Sequence, residues 1–320
     1  MKNSFGIRLF LIMIALISLS SETPAQKLPD VVIRMYNGRP TVFIDGRPDA
    51  LPGYCPWYTK PFFEKFMAPL YRHDLGVYLL DLESVTGDNW GSRFWKGDTI
   101  TSEPLPAATD LVTIDEQAGQ IRKGAPGAYL IIRFMHRPPE SWCDLHPAEF
   151  FIDEDGGVHD TPSLASDLFW EKASEFCTAL VRYVESSPWA DRVIGYMNIH
   201  LAEGVHIPVA EGYLYDHNPA MVQKWRQFLR NKYGAVEKLR AAYGDSTATF
   251  ESMRVPKDRL RGPAPEAANI LYWQNAADNR GLRDYLELQR ELFHRRFRQI
   301  SAGMKKGADR NVLFMHDAMK

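Results

Sequence analysis

Strands that alternate with helices along this chain predict an α/β fold of parallel βα units. The arrangement expected is a (β/α)8 barrel with about five of its eight strands present and a β-hairpin in front. Three observations predict it. Short runs rich in Val, Ile and Leu recur at intervals and read as buried strands. Amphipathic segments with helical spacing lie between them. Polar and titratable residues gather directly after the strand runs, where the loops of a barrel of parallel strands build its site.

In chain order, residues 1–25 read as a secretory signal. Lys2 and Arg8 precede an apolar run from Leu9 to Leu19 that is short for a membrane span, and Thr23-Pro24-Ala25 offers a small-residue cleavage site. Cleavage before Gln26 would deliver the protein to a periplasm or beyond; an uncleaved anchor is the alternative. Residues 26–49 read as a β-hairpin, two β-branched runs around Asn37-Gly38 with Asp45-Gly46 behind them. Residues 50–320 form the barrel portion. Its strands are expected at 50–57, 76–82, 128–135, 193–199 and 311–316. Its helices are expected at 61–70, 166–184, 218–233, 236–243 and 270–304, the last interrupted by Gly281. The helix at 218 opens on Asn218-Pro219, an N-cap followed by a first-turn proline. A compact eight-stranded barrel takes about 250 residues, so five strands over this length point to a truncated barrel, with an open α/β arrangement as the alternative.

Composition narrows the function. A net charge of −2 gives no basic excess to neutralise phosphates, which excludes nucleic acid as the expected partner. Beyond the signal no segment is apolar enough to cross a bilayer. The three cysteines, Cys55, Cys143 and Cys177, show no metal-ligand spacing, so neither a metal nor another cofactor is expected. Cys177 sits in a helical pattern as a buried thiol, and Cys55 with Cys143 is a possible pair in an oxidising compartment.

Two strand ends carry candidate chemistry. The run from Val193 to Ile199 leads into His200, Glu203 and His206, and a carboxylate so placed is a candidate acid or base. The plainer reading is a solvated loop glutamate. The strand at 128–135 runs into Arg133, His136, Glu140, Trp142, Asp144 and His146. Arg133 could fork hydrogen bonds onto hydroxyls and Trp142 could stack on a sugar ring. Arg133 could equally be an ion-pair residue beside Asp81, Trp142 a piece of loop core, and His136 a satisfied histidine.

The pattern resembles the catalytic domain of glycoside hydrolase clan A, in particular the family 42 β-galactosidases. The residues that carry it are 41–48 entering the barrel, 128–133 with Pro138-Pro139-Glu140-Ser141-Trp142 and His146-Pro147-Ala148-Glu149, and the stretch Trp225 to Gly234, Leu239 to Gly244, then Val255-Pro256. The resemblance implies an exported O-glycosyl hydrolase, retaining in mechanism, acting on oligo- or polysaccharide. It puts Glu203 in the place of the acid/base carboxylate, with Arg133, His136, Trp142, His206 and His316 as sugar-binding residues. Ala202 departs from the asparagine expected before that glutamate. A retaining pair needs a second carboxylate about 5 Å away, which in this clan follows strand seven. This chain is therefore expected to lack the nucleophile half, Asp317 being a poor substitute. A non-catalytic carbohydrate-binding protein on the same scaffold is the rival reading.

Overall fold

The computed structural model describes residues 27–54, 69–70, 75–81, 93–106, 113–199, 215–257 and 280–316. The signal-like segment lies outside the described residues.

The hairpin is a three-stranded meander of Val31–Tyr36 (β1), Arg39–Ile44 (β2) and Arg47–Asp49 (β3) in the order β1-β2-β3. Asn37 and Gly38 both take positive φ, 50° and 77°, as do Asp45 and Gly46, at 48° and 80°. Two successive positive-φ residues match the twist of the strands they join. The second such turn adds the third strand.

Five further strands make one parallel sheet: Gly53–Tyr54 (β4), Val77–Asp81 (β5), then, after a small antiparallel pair Trp95–Lys96 (β6) and Thr99–Ile100 (β7), Tyr129–Met135 (β8). Phe150–Ile152 (β9) and Val158–Pro162 (β10) form a separate antiparallel pair, and Val193–Ile199 (β11) and Leu313–His316 (β12) complete the parallel sheet. Its order, β4-β5-β8-β11-β12, is the order in which the chain reaches the strands. This is an α/β architecture with sequential parallel strands; a closed barrel is not formed by the described residues.

The helices are Ile114–Gly124 (α1), Glu140–Cys143 (α2), Asp167–Ser186 (α3), Pro219–Tyr233 (α4), Val236–Tyr243 (α5) and Arg280–Gly307 (α6). Local chemistry sets their ends. Thr113 and Glu116 form a reciprocal capping box at the start of α1. Ser166 Oγ accepts from Phe169 N at 2.9 Å to open α3, and Asn218 Oδ1 accepts from Ala220 N at 2.8 Å to open α4. Of the helix expected over 270–304, the described part is α6, in which Gly281 is the second residue, and residues 270–279 lie outside the described residues. The buried stripe Leu282, Tyr285, Leu288, Leu292, Ile300 and Met304 fixes α6 on the core.

Strand alternation divides the sheet into two faces. Tyr78, Leu80, Leu130, Ile132, Phe134 and Tyr196 pack under α3 and its neighbours in the main core with Phe169, Trp170 and Phe176. On the other face Val77, Ile131, Ile194 and Leu313 meet Val31 and Ile44, so the meander floors the sheet. A register shift between Val193 and Gly195 lets β11 put Ile194 and Met197 on that face and Tyr196 on the first. At Gly195 a Cβ would lie 2.8 Å from Leu313 Cβ and 3.0 Å from Leu313 O, so β12 can approach β11 only because residue 195 has no side chain.

Polar contacts lock the foot of the sheet. Arg310 pairs with Glu185 at 2.6 Å, donates to Pro29 O at 2.5 Å and to Val193 O at 2.8 Å, and Tyr196 donates to Glu185 at 2.6 Å. Burial, with Glu185 beside it, holds the Tyr196 phenol well above its ordinary pKa.

Candidate functional site

The carboxyl end of the parallel sheet gathers the predicted residues unequally. Arg133 stands at the register position of Asp81 on β5 and of Met197 on β11. It shares its face with Tyr129 and Ile131, the face floored by the meander. The structure therefore brings Arg133 and Asp81 to neighbouring positions at one strand end. Residue 133 is half-buried.

His136 is fully buried on the opposite face. Its Nδ1 lies 3.1 Å from Asn198 Oδ1, and its ring packs 5.2 Å from Trp170 and 6.0 Å from Phe169 of α3. It ties the ends of β8 and β11 together under a helix, one layer away from Arg133. A direct sugar contact, as the sequence led us to expect, does not fit this position.

Trp142 requires the same correction. Its side chain is fully buried, with rings of Trp95, His146, Phe150 and Phe169 at 5.6, 4.7, 6.0 and 5.7 Å. Aromatic rings surround it, leaving no open face for a sugar. The reason is local: Pro138-Pro139 ends the strand, α2 follows directly, and the turn of α2 carries Trp142 down onto α3 rather than out over the sheet.

His316 ends β12 at the register position of Asn198. Glu203, His206 and Asp317 lie outside the described residues, as do residues 200–214 as a whole. The two anchors of that stretch are described. One is β11. The other is Tyr215 to Asn218, clamped by Asp216: its Oδ1 accepts from Ile152 N at 3.2 Å and Asn218 N at 2.8 Å, and its Oδ2 accepts from Ser163 Oγ at 2.6 Å. His217 N donates to Ile152 O at 2.7 Å, and Asn218 Nδ2 to the carbonyls of Ala148 and Phe150 at 2.7 Å each. Burial pushes the Asp216 carboxyl above its usual range, against the hydrogen bonds from Ser163, Asn218 and Ile152 that favour its charged form. The segment carrying Glu203 thus leaves from one strand of the sheet and returns to a fixed point beside β9.

Neither Asn198 nor Asp216 is among the site residues that the sequence predicts. Asn198 is a polar residue in an apolar strand, a signal that a buried partner is needed. Asp216 had no such signal, because Tyr-Asp-His-Asn reads as an ordinary loop. Cys143 carries a free thiol, 3.9 Å from Pro138 O, and Cys177 a free buried one; Cys55 lies outside the described residues. Among the described residues no cluster of His, Cys, Asp and Glu is arranged to hold a metal, and no helix is long and apolar enough to cross a membrane.

No family model matches the sequence. A β-1,2-glucosyltransferase of Ignavibacterium album is 22% identical over 151 residues, covering 42% of this chain and 19% of that protein. Among solved structures, the chain is similar to the β-galactosidase of the Antarctic haloarchaeon Halorubrum lacusprofundi (TM-score 0.54, 16% identity, 82% of this chain and 35% of that one). It is also similar to those of Marinomonas ef1 (0.51, 17%, 82% and 36%) and Bacillus circulans sp. alkalophilus (0.50, 13%, 82% and 36%). The fold is therefore glycoside-hydrolase-like, and the chain spans about a third of the length of these enzymes.

Proposed function

We propose that this chain forms the acid/base side of an exported, retaining glycoside hydrolase of the β-galactosidase type, acting on O-glycosidic bonds of oligo- or polysaccharides. One observation carries the reading. The fourth strand of a sequential parallel sheet, β11, runs straight into His200-Leu201-Ala202-Glu203, and the far end of that segment is clamped by Asp216. In such sheets the carboxyl ends of the strands supply the chemistry.

In this mechanism Glu203 protonates the departing glycosidic oxygen and then takes a proton from the attacking water, which requires a pKa raised by a semi-enclosed site. Arg133 donates to a sugar hydroxyl from the meander-floored face, and His206 and His316 form the rim. His136, through Asn198, holds the two strand ends in place. The nucleophilic carboxylate is assigned to no residue of this chain. Ala202 in place of an amide before Glu203 favours sugar binding without turnover as the second reading.

The test measures binding and turnover together. Calorimetry with galactosides and other β-linked disaccharides should show binding that Arg133→Ala weakens about tenfold or more, the scale of one lost charged hydrogen bond. Where turnover accompanies binding, Glu203→Gln should abolish it on natural sugars and spare the first step on activated aryl glycosides. Binding without turnover selects the second reading. Neither binding nor turnover across the panel refutes both, and a Glu203→Gln variant as active as the parent on natural sugars removes Glu203 from the mechanism.

A further inference from the structure

Helix α6 carries eight Arg and Lys against three Asp and Glu, in a chain whose net charge is −2. Arg283, Arg290, His294, Arg298 and Lys305 follow one another at helical spacings of four and seven residues, so they lie in one row. All five are exposed, on the side of the helix away from the buried Tyr285, Leu292 and Ile300. At the helix rise the row is about 33 Å long. Among the described residues no carboxylate pairs with Arg283, Arg290, Arg298 or Lys305. Glu287, which falls beside the row, is held by Lys232, and Glu291 is the one other exposed acidic residue of the helix. A solvated helix face usually interleaves the two signs. The helix dipole accounts for Lys305 in the last turn and not for the arginines before it.

The row runs into a cleft. Between α3, α6 and the β6–β7 arm lies a cavity of about 470 Å³, within the size range of ligand pockets, about 300–1,000 Å³. Small residues of the two helices, Ala179, Ala302 and Gly303, make the room. Gly303 lets the helices close, since a Cβ there would lie 2.5 Å from Ser174 O. Arg182 and Lys306 both line the cleft, and among the described residues neither has a carboxylate partner. Glu175, also in the lining, is paired with Lys172 at 2.8 Å. The Ser102 hydroxyl adds a neutral donor. The row leads to this cleft from one side, with Arg298 one turn before Ala302 and Lys305 beside Lys306.

We infer that the row and the cleft form a binding surface for an acidic polysaccharide, a chain of sugars bearing sulfate or carboxylate groups. One anionic group sits between Arg182 and Lys306, and the rest of the chain lies along α6. Charge complementarity and spacing choose this occupant. Arg283, Arg290, Arg298 and Lys305 follow one another about 11 Å apart at the helix rise, whereas duplex DNA carries one charge per about 1.7 Å. A sugar chain with an anion on every unit or every second unit is charged on the coarser scale. An anionic bilayer presents a plane rather than a line, and it would meet the exposed Glu171 and Glu175 of the neighbouring α3. The surface belongs to the helix layer, on the opposite side of the sheet from Arg133. It goes beyond the glycosidase reading and does not rest on it.

The test is calorimetry at about 50 mM and about 200 mM salt. The probes are polygalacturonate (carboxylated), chondroitin sulfate (sulfated), neutral dextran, a single-stranded oligonucleotide and vesicles of anionic phospholipid. At least one acidic polysaccharide should bind and dextran should not, with affinity falling about tenfold or more at the higher salt. Which of the two binds more tightly assigns sulfate or carboxylate. Arg290→Gln with Arg298→Gln should weaken binding about fivefold or more, and so should Arg182→Gln with Lys306→Gln. The same change of charge at exposed residues outside the surface, Arg39→Gln with Lys123→Gln, should leave it within about twofold. Equal loss in that control pair would show attraction to net charge alone and overturn the inference. Binding of neither acidic polysaccharide overturns it, as does tighter binding of the oligonucleotide or the vesicles. Arg133→Ala should leave polysaccharide binding by this surface unchanged, so failure of the glycosidase reading is distinguishable.

Discussion

Replacing Asp216 by Asn should cost far less stability than replacing it by Ala, although Asp216 is a buried carboxylate at the clamp of the Glu203 segment. The structure gives the reason. Asp216 is 2% exposed, and its three hydrogen bonds come from two backbone N–H groups and one hydroxyl, all neutral donors. Both backbone donors meet Oδ1, so an Asn carbonyl in the same place keeps them. The amide put in place of Oδ2 faces Ser163 Oγ, which can accept from it at the loss of its own acceptor, a change of about 1 kcal/mol. Removal of a buried charge offsets part of that. Alanine strands both N–H groups and the hydroxyl, and at about 1–3 kcal/mol for each stranded group the sum is roughly 3 kcal/mol or more. Urea denaturation followed by tryptophan fluorescence at pH 7 measures both variants against the parent. The pH dependence supplies a second check. With the folded carboxyl raised above its unfolded value, the folded state binds the extra proton, so the contribution of Asp216 is fullest below the unfolded pKa. It falls as pH rises from there through the raised folded pKa. The parent should therefore gain stability relative to Asp216→Asn as pH is lowered into that window. An Asn variant as damaged as the Ala variant, with the parent's advantage growing as pH rises, would refute the reasoning and show that the charge itself is needed.

Two further predictions concern the foot of the sheet. Arg310→Ala leaves Glu185 without its cation at a site where both side chains are 11% exposed. It should cost about 3–5 kcal/mol in urea titration, and a change below 1 kcal/mol would show that the pair is solvent-screened. Gly195→Ala places a methyl group 2.8 Å from Leu313 Cβ and should cost about 1–3 kcal/mol. Faster hydrogen exchange should be confined at first to β12, and unchanged β12 protection would contradict the close approach.

The parallel elements were legible in the sequence because each carries its own signal. Val193 to Ile199 and Tyr129 to Met135 are apolar runs of strand length, Asn218-Pro219 caps a helix, and Asn37-Gly38 makes the turn of a two-residue hairpin. Elements whose pattern depends on partners far along the chain were not legible. The pairs β6–β7 and β9–β10 are two to five residues long and exist because the aromatic cluster around Trp142 and the Asp216 clamp hold them. Helix α1 was passed over despite its capping box at Thr113 and Glu116, since its stripe of Ile114, Ala118 and Ile121 is narrow.

The site shows where strand-end reasoning must be sharpened. Arg133, His136 and Trp142 looked like one cluster because they are close in sequence, yet a strand alternates its faces with every residue. Counting from Ile131, which faces the meander, Arg133 falls on the same face. Phe134, and His136 after it, fall on the helix side, where Phe176, Phe169 and Trp170 meet them. That parity was available in the sequence once one inward residue was known, and it separates a group that can reach a substrate from one that can only position the strands. The same alternation makes the meander informative. Val31, Ile33 and Met35 share parity, so the burial of the first and exposure of the other two are statements about one surface.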